Sequence, residues 1–232
     1  MVMKTKKILP KEMPTENGDR VSRPEFERRY HGMPESQKAE LIEGVVYLMA
    51  SPLRFQQHAK PHAFILTWLT TYQISTPGTE VGDTPTVRLD LDNEPQPDAV
   101  LFLDESAGGQ AHISEDDYIE GAPELVVEVA ASSVSIDLYD KKRAYQRNGV
   151  KEYLVWQSYE NRLDWFSLQA GEYVALQAND QGVIQSQVFP GLWLAVSDLL
   201  AGNMAQVLAV LQQGLDSEEH SNFVRKLTSK QD

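Results

Sequence analysis

Two apolar runs in the middle of the chain each carry an acidic residue. Residues 98–103 read Asp-Ala-Val-Leu-Phe-Leu directly after Pro97, and residues 124–130 read Glu-Leu-Val-Val-Glu-Val-Ala. Near-continuous apolar runs of this length are typical of strands that are buried on both faces of a sheet. The pattern therefore predicts two buried strands, the first opened by Asp98 and the second interrupted by Glu128.

Helical spacing follows the second of these strands. Residues 135–148 predict a helix that Gly149 terminates, and residues 153–156 predict the next strand. A strand–helix–strand unit of this length is typical of a crossover between parallel strands. Further helices are predicted from Ser22 and over residues 56–72 and 196–215, and further strands over residues 41–50, 86–91, 162–168, 172–176 and 183–188. This order predicts an α/β domain with a central mixed β-sheet flanked by helices.

The polar ends of the chain divide it into three segments. Residues 1–20 contain prolines and a glycine without periodicity, and we expect them to form a flexible lead-in. Residues 21–215 are expected to form a single domain, because a chain of this length with 41% hydrophobic residues can bury one sizeable core. Residues 216–232 are expected to form a polar C-terminal tail.

Composition narrows the classes of function. The formal charge of −13 opposes high-affinity, general binding to a phosphate backbone, although a basic strip lies within residues 141–151. The absence of cysteine excludes disulfides and thiolate metal sites. No window approaches the roughly 18 apolar residues that a membrane-spanning helix needs, and the N-terminus lacks the apolar stretch of a signal peptide. We therefore expect a cytoplasmic protein with no membrane partner.

Glu128 is the residue whose position most strongly indicates chemistry. Strand alternation places it on the same face as Val126 and Ala130, and a carboxylate in an apolar run is costly to bury unless it is paired or binds a metal. A salt-bridged glutamate is the structural alternative, and Asp98 alone could equally be a turn aspartate. Together the two acids are candidate ligands for Mg²⁺, which prefers one or two carboxylates plus water and phosphate oxygens.

Other motifs accompany the two acids in a fixed order. The ordered set consists of residues 40–47, His58, Pro97-Asp98, residues 124–129, Asp137 with Lys141 and Tyr145, residues 149–153 and residues 189–192. This succession resembles the Uma-two family of putative restriction endonucleases, within the PD-(D/E)xK nuclease superfamily, over roughly residues 22–215. The resemblance implies a restriction-endonuclease-like fold, DNA as the substrate, and Mg²⁺ (with Mn²⁺ as a substitute) as the cofactor.

The resemblance also implies the site residues. The expected catalytic residues are Asp98, Glu128 and Lys141, and the expected metal ligands are Asp98, Glu128 and Glu40. The superfamily pattern places a lysine two residues after the glutamate, where this chain has Ala130, so Lys141 on the following helix is the expected substitute. The expected supporting residues are Glu43, His58, Lys142 and Tyr145. Structural alternatives stay open, including an ordinary Asp137–Lys141 helix pair, surface exposure of Glu40 and Glu43, and a purely structural His58.

Two other functions stay open at this point. A catalytically inactive nuclease-fold module for binding or interaction would explain both the missing strand lysine and the negative charge. A carboxylate-pair hydrolase such as a glycosidase would also use two acids on neighbouring strands, but nothing else in the sequence resembles a sugar site. For the endonuclease, a homodimer is expected because the cutting of two strands needs two sites.

Overall fold

The structure is a computed structural model that describes residues 15–34, 36–49 and 54–231. Most of the expected lead-in, residues 1–14, lies outside this range. The α-helices are α1 (Arg23–Tyr30), α2 (Lys60–Ile74), α3 (Lys142–Asn148), α4 (Val196–Ala201), α5 (Met204–Leu215) and α6 (Glu218–Gln231). The strands are β1 (Ala39–Ile42), β2 (Val45–Leu48), β3 (Thr79–Asp83), β4 (Val87–Arg88), β5 (Ala99–Leu103), β6 (His112–Ile113), β7 (Ile119–Glu120), β8 (Leu125–Ala130), β9 (Glu152–Gln157), β10 (Arg162–Gln169), β11 (Glu172–Ala175), β12 (Val183–Gln185) and β13 (Trp193–Ala195).

A six-stranded mixed sheet organises the fold. Its strand order is β11-β10-β9-β8-β5-β3. Strands β8 and β9 are parallel, with Val127 opposite Leu154, whereas the other neighbours in this sheet are antiparallel. The parallel pair confirms the predicted strand–helix–strand unit. The central mixed sheet, with helices against it, confirms the predicted fold class.

The two faces of β8 lie in different hydrophobic clusters. Val127 and Val129 belong to a cluster that also contains the buried residues of α2 and α5. Val126 and Ala130 belong to a second cluster, which contains Tyr145 of α3. Strand alternation therefore holds as predicted, and it directs Glu128 toward α3 rather than toward α2.

A hairpin replaces the single strand that was predicted over residues 41–50. Strands β1 and β2 pair antiparallel, and the turn between them contains Glu43 and Gly44, both with positive φ. Leu41 of this hairpin also bridges to Glu94, in the segment that leads to β5. The hairpin thereby holds Glu40 beside the start of β5. The strand predicted over residues 86–91 is likewise reduced, to the two residues of β4.

Helix α6 lies in the segment over residues 216–232 that was expected to be a polar C-terminal tail. Leu227 of this helix is buried, and the ring of His220 lies 2.9 Å from Thr76 Oγ1. His220, Phe223 and Leu227 recur at intervals of three and four residues, so one face of α6 packs on the domain. No helix in the described part of the chain is long and apolar enough to cross a membrane.

Candidate active site

Four structural elements bring buried charged side chains together at one end of β5 and β8. Glu40 comes from β1, Asp98 directly precedes β5, Glu128 lies in β8, and Lys141 ends a π-helical turn that spans Ile136–Lys141 and runs directly into α3. Their relative exposures are 5%, 9%, 3% and 5%. Charged groups this buried need partners or ligands, because water no longer compensates their charge.

Lys141 is the centre of this group. Its ammonium nitrogen lies 2.8 Å from Glu40 Oε1, 3.0 Å from Glu128 Oε1 and 3.7 Å from Asp137 Oδ1. Burial opposes the charge of Lys141, but the carboxylates of Glu128, Glu40 and Asp137 outweigh burial and raise the pKa of the lysine. The lysine is therefore a fixed cation among three acids.

Lys141 reaches Glu128 from the adjoining helix rather than from position 130 of β8, which is alanine. The π-helical turn and α3 bury Asp137, Lys141 and Tyr145 on the side that faces β8. The hydroxyl of Tyr145 donates a hydrogen bond of 2.9 Å to Glu128 Oε1, the same oxygen that Lys141 contacts. The spacing of four residues predicted this common face.

Asp98 is held from two directions. Its Oδ2 accepts a hydrogen bond of 2.7 Å from the backbone N–H of Val129 in β8. Its Oδ1 lies 3.0 Å from Nε2 of His58, which belongs to the π-helical turn Phe55–Ala59 that leads into α2. Burial opposes ionisation of Asp98, but the hydrogen bond and charge of His58, together with the Val129 N–H and the charge of Lys141, outweigh burial and lower the pKa of the carboxyl. The same hydrogen bond raises the pKa of His58.

The negative charge of the site exceeds the positive charge that the protein supplies. Within the described residues, the ion pairs of Glu40, Asp98, Glu128 and Asp137 are made with Lys141 and His58. Burial, reinforced by the neighbouring acids, raises the pKa of Glu128, and burial raises that of Asp137 to about 6. A divalent cation would relieve this repulsion. The carboxylate oxygens of Asp98, Glu128 and Glu40 are the type of donor that Mg²⁺ prefers.

Two of the expected supporting residues lie outside this group. Glu43, on the β1–β2 turn, forms ion pairs with Arg143 and Arg147. The ammonium of Lys142 lies 3.5 Å from the centre of the Phe166 ring and makes a cation–π contact. Both residues therefore have structural partners away from Asp98.

Comparison with known proteins adds to this geometry. The sequence model of the Uma2 family, described as putative restriction endonuclease, matches residues 23–197. The chain belongs to the Uma2 family. A solved structure is also similar to this Uma2 chain: that of a putative nuclease belonging to DUF820 from Anabaena variabilis ATCC 29413, at 1.96 Å resolution. The TM-score is 0.58 at 15% sequence identity, over 75% of this chain and 96% of that chain. No curated protein matches the chain.

The sequence analysis missed two residues of this Uma2 site. Asp137 is in the ordered motif set but is not among the expected site residues, yet it is 2% exposed and part of the charged group. His62 was not considered, although it follows His58 by four residues and its Nε2 lies 2.7 Å from the backbone oxygen of Asp98. The spacing of four residues was the available signal for both, since it places two side chains on the same helical face.

Proposed function

We propose that this Uma2 protein is a Mg²⁺-dependent endonuclease that hydrolyses DNA phosphodiester bonds with a metal-activated water. The observation that carries the proposal is the convergence of Asp98, Glu128 and Lys141, which come from three separate elements and are all buried. Family membership and the nuclease-like fold support the same class of reaction.

The proposed roles follow from the donors that each residue offers. Asp98, Glu128 and Glu40 would hold Mg²⁺, which supplies Lewis-acid activation of water and stabilisation of the phosphate charge when bound. Lys141 carries a fixed positive charge that can orient the water or stabilise the negative charge that develops on the phosphate. Tyr145 and the Val129 N–H position Glu128 and Asp98 through the hydrogen bonds described above.

The substrate and the oligomeric state follow from the class of reaction. A nuclease of this family would act on DNA, and because the chain carries a formal charge of −13, its affinity for DNA should be modest and strongly dependent on salt. Cleavage of both strands of a duplex needs two sites, so we propose a homodimer for that reaction.

A second candidate function has one observation in its favour. Lys141 already forms ion pairs with Glu40, Glu128 and Asp137 in a nearly closed group. A structural salt-bridge cluster would look the same, and the protein would then be a catalytically inactive nuclease-fold module for binding or interaction. The two functions differ in metal binding, since the inactive module needs no ion at Asp98 and Glu128.

Cleavage of supercoiled plasmid and of single-stranded DNA, with Mg²⁺ or Mn²⁺, tests the proposal. Asp98→Asn, Glu128→Gln and Lys141→Met should each lower the rate at least about 100-fold, the scale expected for loss of a group that stabilises the transition state. Glu160→Gln changes an exposed carboxylate and is the matched control. If wild type cleaves none of these substrates, and if Mn²⁺ binding measured by calorimetry is absent or insensitive to Asp98→Asn, the inactive module is the correct function.

A further inference from the structure

A second set of ligand-type side chains faces Asp98 from the side of α2. His58 and His62 are four residues apart, and their rings are neighbours with centroids 5.7 Å apart. The ligand atoms of His58, His62 and Asp98 all lie within 4.8 Å of one another, and no other trio of histidine and acidic residues in the described part of the chain does so. Two histidines at this spacing on one helical face are a recurrent arrangement for binding a transition metal.

Two distances in and beside this set are close to the ligand–ligand separation of a four-coordinate ion. His58 Nε2 lies 3.0 Å from Asp98 Oδ1, and His62 Nε2 lies 3.2 Å from Asp83 Oδ1 at the end of β3. Metal–ligand bonds of about 2.0–2.1 Å in a tetrahedron separate neighbouring ligand atoms by roughly 3.3 Å. His58, His62 and Asp98 lie close enough to share one ion, and rotation of the exposed Asp83 side chain would bring its carboxylate to the same ion.

The surroundings also suit an ion that arrives from solvent. The side chains of His58, His62 and Asp98 are 16%, 16% and 13% exposed, whereas that of Asp83 is 63% exposed and forms the open side. The buried Nδ1 of His58 has no hydrogen-bond partner in the described part of the chain. Two carboxylates would balance the charge of a divalent ion.

We propose that His58, His62 and Asp98, with Asp83 as the outer ligand, bind one divalent transition-metal ion of the Zn²⁺ type. Imidazole nitrogen selects such ions over Mg²⁺, which prefers oxygen ligands. This site is distinct from the all-carboxylate site of Glu40 and Glu128, and the two share only Asp98. The inference therefore goes beyond the proposed nuclease function and does not depend on it.

Titration of the full-length protein with Zn²⁺ alone, followed by calorimetry, tests the inference. Wild type should bind one Zn²⁺ per chain at this site, and Co²⁺ in its place should give the visible absorption of a four-coordinate ion with nitrogen ligands. His62→Ala and His58→Gln should each weaken Zn²⁺ binding by at least about tenfold, because each removes a ligand. His112→Ala removes an exposed histidine and is the matched control.

Thermal unfolding without metal shows whether each variant is folded. If His62→Ala is not folded, the milder His62→Gln takes its place. Binding in Glu128→Gln should equal that of wild type, which separates this site from the proposed Mg²⁺ site. If wild type binds no Zn²⁺ stoichiometrically, or if the His58 and His62 variants bind it as tightly as wild type, the inference is wrong. Neither result decides the nuclease proposal for Asp98 and Glu128, which the cleavage assay tests separately.

Discussion

Replacement of Lys141 by methionine is the sharpest test of how the charged group is held together. Methionine keeps an unbranched chain of similar length but removes the ammonium that contacts Glu40, Glu128 and Asp137 at 2.8, 3.0 and 3.7 Å. The remaining carboxylates are buried without a cationic partner. Loss of one partner from a buried ion pair typically costs about 3–5 kcal/mol. Since small domains are stable by only about 5–15 kcal/mol, Lys141→Met should lose a large fraction of its free energy of unfolding.

Urea unfolding at neutral pH without divalent metal measures this loss. Lys142→Met is the matched control, because Lys142 is the next residue and its ammonium contacts the Phe166 ring. A cation–π contact at a partly exposed site is worth about 0.5–1 kcal/mol, so the control should lose far less than Lys141→Met.

A double-mutant cycle then shows whether the loss comes from charge. Glu128→Gln removes one of the uncompensated carboxylates but retains an oxygen that can accept the Tyr145 hydrogen bond. In the Lys141→Met background this change should restore stability, with a coupling energy of about 1–3 kcal/mol. A decrease of less than about 1 kcal/mol in the free energy of unfolding of Lys141→Met would refute the reasoning, as would additive effects of the two substitutions on that free energy. The ion pairs of Lys141 then do not stabilise the charged group.

Two further predictions concern stability away from the site. Burial raises the pKa of Glu152, 0% exposed, from its ordinary 4.5 to about 7, so folding favours the protonated acid and the wild type loses stability as pH rises through this range. The free energy of unfolding of Glu152→Gln minus that of wild type should therefore rise by about 2.5 kcal/mol between pH 5 and pH 8, and a difference that is constant with pH would contradict this. In Gly214→Ala, the new Cβ would lie 2.2 Å from the backbone oxygen of Gly191, so urea unfolding should show a loss of about 2 kcal/mol or more. Gln213→Ala, one residue earlier and exposed, should change stability by less than about 0.5 kcal/mol, and equal losses in the two variants would refute the steric argument.

The sequence predicted the parts of the fold that depend on local pattern. The buried strands around Asp98 and Glu128, the parallel pairing of β8 with β9 and the helix that carries Lys141 all follow from periodicity and turn residues. Residues 41–50 predicted one strand rather than the hairpin of β1 and β2. The run is apolar on both sides of Glu43-Gly44, and its length is compatible with a single strand. Residues 216–232 predicted a polar tail without a helix, because the apolar face of α6 has only a few residues.

The charged group was harder to predict than the fold because it depends on contacts between distant segments. Nothing local indicates that Glu40 lies 2.8 Å from Lys141, about a hundred positions later. That contact exists because Leu41 and Glu94 join the hairpin to the segment before β5. The contact of His58 with Asp98 likewise depends on how α2 packs across the sheet. Spacing within one helix predicts that Asp137 and His62 share a face with Lys141 and His58. It does not predict which residues of other segments they contact.

The missing strand lysine and the helix lysine are two aspects of one packing arrangement. Ala130 is 0% exposed and belongs to the same cluster as Tyr145 of α3, so its small side chain permits close contact between β8 and that helix. A lysine at position 130 would add three carbon atoms and a charged ammonium where the interior is already filled. The close contact, in turn, brings the ammonium of Lys141 to Glu128. For chemistry at the carboxylates, the position of the ammonium matters and the position of the Cα does not. Lys141 therefore places a positive charge beside Glu128 from the adjoining helix, while position 130 of the strand is alanine.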